Sequence, residues 1–221
     1  MAGLAPLLLA DGRLPVGAYT YSAGLEPAVA SGLTRDDVPA LLRARLRTAA
    51  VTEAAAAVLA LRAAGQDPVD YGPVQRALAA RTPAAPLREA SATLGRGVHR
   101  LARRLVPDHP AVTALSALCP RPLRPVALGA LGAVLAVTGT DLAHAVVYDE
   151  LQTITSAALK LLPGDPLDTV AWILAAEPDA AAAVREALAV RDSADLPART
   201  PPLTEQWALE HARRERRLFL A

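Results

Sequence analysis

Between Thr34 and Gly65 the chain repeats apolar residues at helical phase and carries helix punctuation at both ends. Thr34 is a residue type that caps helix N-termini, and Asp36 and Asp37 follow where carboxylates meet the positive end of the helix dipole. Leu41, Leu42, Leu46, Ala49, Val58 and Leu61 then line one helix, which stops near Gly65, before Asp67-Pro68. Strand signals are weak everywhere. The side chains available to fill a core point the same way, because 52% of the chain is hydrophobic but only 3% is aromatic. Such a core is built from Ala, Leu and Val, and alanine combines the best helix propensity with room for close helix approach. The 221 residues suffice to bury a core without staples. The fold class read from this is all-α, a single-domain helical bundle of about eight to ten helices.

The remaining elements follow from prolines and glycines. A short helix carries Val74 and Leu78 on one face and ends before Pro83. The next runs from about Pro86 to Val106, with Leu87, Leu94, Val98, Leu101 and Leu105 inward. Three prolines between His109 and Arg124, Pro110, Pro120 and Pro122, leave room for at most a short helix. Two apolar helices follow, near Val126 to Val137 and Leu142 to Leu162, then Leu167 to Ala176 and Asp179 to Val190. Three prolines between Ser193 and Pro202 read as a linker, so residues 1–192 form the helical domain and 193–221 a linker with a C-terminal docking segment. The longest uncharged run, Pro125 to Thr140, is shorter than the roughly 20 residues of a membrane span and holds three glycines. The N-terminal apolar run lacks a basic stretch before it and makes a poor signal peptide. The single cysteine, Cys119, excludes an intrachain disulfide and fits a cytoplasmic protein. A net charge of +1 argues against nucleic acid or membrane surfaces as partners of the whole molecule.

No enzyme motif stands out. His99, His109, His144 and His211 are scattered, and no ligand spacing for zinc or nickel occurs. Asp141, His144 and Asp149 could share a metal, but Asp141 reads first as a helix-start carboxylate. Gly95-x-Gly97 has no strand before it and no third glycine, so it is not a phosphate loop. Lys160 is the only lysine and lies in no Walker motif, and Ser22 has no sequence-identifiable base. Two basic features remain. Arg88, Arg96, Arg100, Arg103 and Arg104 share one helix with a single acid, Glu89. Arg213, Arg214, Arg216 and Arg217 alternate with Glu210 and Glu215 ahead of Leu218, Phe219 and Leu220, an ending that reads as a docking peptide for this domain or for a partner.

The stretch "LPVGAYTYSAGLE" places two of the four tyrosines, Tyr19 and Tyr21, within thirteen residues. Pro15 and Gly17 make a turn with one permissive position, and Ser22 caps a helix beginning at Ala23, with Leu25 and Val29 inward. Leu14, Pro15, Gly17, Tyr19, Ser22, Gly24, Leu25 and Glu26 match the pattern Leu-Pro-x-Gly-x-Phe/Tyr-x-x-Ser-x-Gly-Leu-Glu. In this the chain resembles the urease accessory protein UreF family. The segments "LREASATLGRGVHRLAR", "DLAHAVVYDELQTITSAALKLLP" and "ALEHARRERRLFLA" resemble that family's central, long apolar and C-terminal helices. The chain departs from the family pattern at Pro163-Gly164-Asp165-Pro166, where Pro-Leu-Gly-Gln is common, and at Glu210, Ala212 and Glu215.

The resemblance implies an all-α homodimer that binds UreD (also called UreH) and the nickel-carrying GTPase UreG. The assembly docks on apo-urease and helps deliver nickel. It implies a scaffold with no catalytic centre and no cofactor of its own. Partner-binding residues implied by the match are Pro15, Gly17, Tyr19, Tyr21, Ser22, Gly24 and Glu26, then Arg88 and Arg96, then His211, Arg217 and Phe219. A second class of function, a helical enzyme with a pocket built from Tyr19, Tyr21, His144 and the Arg96 region, requires those residues to converge. A metal-storage protein would instead show nickel affinity in the isolated chain.

Overall fold

The computed structural model describes residues 3–17, 20–118, 121–199, 201–214 and 218–219. Twelve α-helical segments follow one another: α1 (Leu4–Leu9), α2 (Leu25–Ala30), α3 (Val38–Arg45), α4 (Val51–Ala64), α5 (Gly72–Ala80), α6 (Ala85–Leu105), α7 (Pro110–Leu118), α8 (Arg124–Val134), α9 (Gly139–Leu161), α10 (Leu167–Ala175), α11 (Glu177–Ala189) and α12 (Pro202–His211). A π-helical turn, Leu46–Ala50, joins α3 to α4 as one continuous rod, giving eleven helices, nine of them seven residues or longer. No strand occurs among the described residues. The fold is a single all-helical domain, as the periodicity predicts.

The centre of the bundle is α4. Val51, Thr52 and every residue from Ala54 to Ala60 are buried, so this helix has no solvent face. It packs against α8, α9 and α11. Alanine makes the α4–α8 contact close: a Cβ added at Gly129 of α8 would lie 2.5 Å from Ala60 Cβ and 2.7 Å from the Ala57 carbonyl oxygen. A bulky aromatic core would hold these helices apart, which is the structural sense of the aromatic-poor composition.

Three sequence expectations shift. Ser22 was expected to cap a helix starting at Ala23, but α2 begins at Leu25. Ala23 and Gly24 both take left-handed backbone angles, φ 52° and 87°, which a right-handed helix cannot contain. Ser22 still acts as a cap, its Oγ accepting from Glu26 N at 3.3 Å. Leu105, expected inward, is exposed. With 21 residues α6 is about twice as long as the 11-residue α8 beside it, so its last turn overhangs its partner. The stretch read as a linker is tied down: Arg81 Nε donates to the Leu196 carbonyl at 2.6 Å, and its Nη2 to that of Ala194 at 2.7 Å.

The divergent turn at residues 163–166 has its own anchor. Arg35 Nη1 donates to the Leu162 carbonyl at 2.7 Å and Nη2 to that of Asp165 at 2.5 Å, and the guanidinium pairs with Asp168 and stacks 4.7 Å from the Trp172 ring centre. No described helix is long and apolar enough to cross a membrane.

Candidate partner-docking site

The signature loop is wedged between α6 and the C-terminal segment. Gly17 has φ +91°, the left-handed region that favours glycine, and its carbonyl accepts from Thr20 Oγ1 at 2.8 Å. The Val16 backbone then lies directly on Gly97 of α6, where an added Cβ would fall 2.9 Å from the Val16 carbonyl carbon. Two residues earlier on the same helix, a Cβ at Gly95 would fall onto the Pro122 carbonyl oxygen. The Gly95-x-Gly97 pair thus exists to let two loops cross one helix at backbone contact.

On its other side the signature holds the tail. Both Glu26 carboxylate oxygens accept from the tail backbone, Oε1 from Leu218 N at 2.8 Å and Oε2 from Phe219 N at 2.9 Å. His211, almost fully buried, sits between them, with Nε2 3.2 Å from the Phe219 carbonyl and 3.5 Å from Glu26 Oε2. Gly24 faces Thr204 of α12. Phe219 is buried in the main core cluster, with Lys160 Nζ 5.2 Å from its ring centre. Phe219 of the apolar ending therefore docks on its own domain, while Leu218 stays exposed. The proline count predicts few core contacts for this segment, yet Phe219, Thr204, Ala208 and His211 are all buried, because Arg81 and Glu26 fix its two ends.

Removing the Glu26 carboxylate should loosen this clasp without unfolding the bundle. Charge-assisted hydrogen bonds contribute about 1.5–3 kcal/mol each. In Glu26→Ala the Leu218 and Phe219 amides should exchange hydrogen at least roughly tenfold faster, while amides of α4 keep their protection. Unchanged exchange at those two amides would show that the carboxylate does not hold the tail.

Under the signature lies a buried set of charges. Arg45 Nε donates to Glu150 Oε1 at 2.5 Å, and Arg124 Nη2 to Asp149 Oδ2 at 2.5 Å, all four side chains being buried. Arg45 and Glu53 both face this region although they are eight positions apart. In a regular α-helix that spacing turns the two about 80° away from each other. The π turn between them winds more residues per turn and brings both to one side. Burial alone would lower the two guanidinium pKa values, but Glu150 beside Arg45 and Asp149 beside Arg124 raise them instead. Glu53 is the fifth charge of a set whose other four are paired. Burial, then the Glu150 charge, pushes its carboxyl up to about 7. Burial likewise pushes the Tyr21 phenol up. Tyr21, Glu53, Arg45 and Arg124 line a small cavity of about 60 Å³ that α12 and Arg199 border on the far side.

The raised Glu53 carboxyl makes stability depend on pH with a definite sign. Its folded pKa of about 7 exceeds the reference 4.5, so the folded state holds the proton more tightly. The stability it contributes is full below 4.5 and is lost as pH rises through 7. Glu53→Gln should raise the melting temperature at pH 8 by several degrees and leave it little changed at pH 5. Equal shifts at both pH values would contradict this account of Glu53.

Not every sequence candidate meets this site. Tyr19 and Arg217 lie outside the described residues, as does Cys119. Pro15 is exposed on the turn. Arg88 donates to the Thr82 and Pro83 carbonyls at 2.7 and 2.6 Å, closing the loop before α6. Arg96 is exposed and reaches Thr93 Oγ1 at 3.2 Å. The enzyme pocket expected around Tyr21 and His144 is not assembled. His144 and Tyr148 occupy one face of α9 and line a groove with α1, α10 and α11, whereas Tyr21 sits with Asp149 on another. Asp141 serves as a helix-start residue, its N–H donating to Thr138 Oγ1 at 3.1 Å, and His144 Nδ1 lies 2.9 Å from the Thr140 carbonyl. Among the described residues no group of three or more His, Cys, Asp or Glu side chains could hold a metal ion.

The paired charges escaped the sequence reading. Their signal was the interruption of apolar runs, by Asp149-Glu150 midway along α9 and by Arg124 at the head of α8. A charge there must find a partner.

Comparison with known proteins agrees with the signature. The profile of the family described as UreF matches residues 33–177. A protein named urease accessory protein UreF from Mycobacterium sp. (strain JLS) is 40% identical over 218 residues, covering 96% of each chain. Namesakes from Mycobacterium marinum and Mycobacterium tuberculosis (strain H37Rv) are 36% identical over 225 residues, covering 99% and 100% of each chain. The match lies over the helices that carry the buried charges, and the relatives extend it across the signature and the tail: the chain belongs to the UreF family of urease accessory proteins.

Proposed function

We propose that this chain is a non-catalytic scaffold that links the nickel-carrying GTPase UreG and UreD (UreH) to apo-urease while nickel is inserted. The observation that carries the reading is the clasp of Glu26 on Leu218, Phe219 and His211. It joins the signature loop near the start of the chain to the C-terminal segment, which also resembles the family, into one surface. A partner gripping that surface engages the signature loop, α12 and the tail together. Nickel is cargo in this reading, and the chain itself performs no bond chemistry.

A homodimer is part of the proposal. Leu4, Leu7 and Leu8 on α1 and Leu167, Val170 and Leu174 on α10 are exposed. Leu7 and Leu174 border a groove of about 860 Å³ with His144 and Tyr148 of α9 on its wall. Exposed apolar ridges of this kind mark contact surfaces. A second copy laid across them would remove the leucines from water.

The test is co-expression with UreD and UreG, followed by affinity capture of this chain. Both proteins should co-purify, and a chain truncated after residue 201 should remain helical by circular dichroism yet retain much less UreD. Undiminished UreD capture by the truncated chain would refute the role given to the clasp.

A further inference from the structure

Most arginines of the body have a partner. Arg35, Arg45, Arg47, Arg124 and Arg199 pair with carboxylates, and Arg62 and Arg88 hold backbone carbonyls. Exposed arginines without a carboxylate partner among the described residues are scattered elsewhere, at Arg43, Arg76, Arg185 and Arg191, but the outer face of α6 gathers four on one side. Arg96, Arg100, Arg103 and Arg104 are all exposed, and none is paired with a carboxylate among the described residues. Their spacing sets them along one side of the helix over about 12 Å. The field they create is felt nearby: the His99 pKa is lowered, first by burial and then by the Arg103 charge.

Helix-dipole compensation accounts for Arg103 and Arg104, which lie in the last turn. It does not account for Arg96 and Arg100, which lie further back. The stripe ends beside an exposed apolar residue, Val106, where the helix stops. Arginine beside exposed aliphatic surface suits a protein contact. A single-stranded nucleic acid would need aromatic platforms, and α6 contains no aromatic residue. The stripe also borders the signature, because Val16 rests on Gly97.

We propose that the outer face of α6 docks an acidic protein surface, with Arg96, Arg100, Arg103 and Arg104 gripping carboxylates and Val106 at the end of the stripe closing the contact. Charge complementarity selects the partner. Among the described residues the guanidiniums have no carboxylates of their own, and their planar forks match carboxylates two bonds at a time. This rests on the scaffold reading, since it assigns one of that assembly's contacts.

The test uses the full chain with purified UreD and UreG as probes, titrated by calorimetry at about 0.05 M and about 0.5 M salt. For one of them, R100E/R104E should weaken binding at low salt at least roughly tenfold, and the wild-type affinity should fall with salt while the variant's barely changes. R100Q/R104Q, which adds no repulsion, should fall between the two, and it decides the matter if the glutamate variant loses helicity. Wild-type binding with both variants unchanged would overturn the docking face and leave the scaffold reading standing. Wild type binding neither protein would overturn both. Tighter binding of poly(U) RNA than of either protein, lost in the variants, would also overturn it by making the stripe a nucleic-acid surface.

Discussion

Arg124→Ala is expected to destabilise the protein by about 3–5 kcal/mol, the range for removing one partner of a buried ion pair. Arg124 and Asp149 are each more than nine-tenths buried and meet at 2.5 Å. Without the guanidinium, Asp149 keeps a buried charge with no cation, and Glu53, already pushed up to about 7, loses an attraction that opposes its shift. The larger part of the effect is the stranded carboxylate, and a second substitution separates the two contributions. Arg124→Met with Asp149→Leu should recover most of the loss, since an apolar pair of similar volume is often as stable as the ions it replaces. Urea denaturation of the two single variants and the double variant measures this. A double variant as unstable as the sum of its parts would show that the pair is not energetically coupled.

Gly95→Ala should have an effect of similar size, about 3 kcal/mol or more, from a single methyl group. Its Cβ would fall onto the Pro122 carbonyl oxygen and within 3.0 Å of the Leu123 carbonyl carbon. Backbone atoms cannot swing aside as a flexible side chain can. Relief requires α6 to move away from the chain that leads into α8, where Arg124 N donates to Ser91 Oγ at 3.1 Å and Leu123 N to Gln75 Oε1 at 3.0 Å. An alanine normally favours a helix by about 1 kcal/mol over glycine, so propensity alone predicts the opposite sign. Thermal denaturation of Gly95→Ala beside Gly65→Ala, where the nearest outside atom is 3.5 Å away, distinguishes contact from propensity. A more stable Gly95→Ala would contradict the close approach.

The helices were legible because their signals are local. Thr34 and Gly65 frame the rod of α3 and α4, and Pro83, Pro107 and Pro166 fall beside breaks between helices. The charge cluster was not legible, because pairing acts across the fold. Arg45 meets Glu150, which is 105 positions away, and Arg124 meets Asp149, 25 positions away. In a one-dimensional reading each is a single polar position on an apolar helix. The two glycines of α6 read as a failed phosphate loop for the same reason, since what they accommodate lies at Val16 and Pro122. Tail docking was legible as a tendency, from the Leu218-Phe219 ending, but not its seat. Only the fold shows that Glu26 supplies the acceptors for both amides.

The proposed role of this chain is to couple nickel delivery to urease without chemistry of its own. Its most direct test is the nickel content of urease produced with UreD and UreG, in the presence and absence of this chain, measured by atomic absorption alongside ureolytic activity. The account predicts near-empty, inactive urease without the chain and restored nickel and activity with it. Full nickel loading in its absence would contradict it.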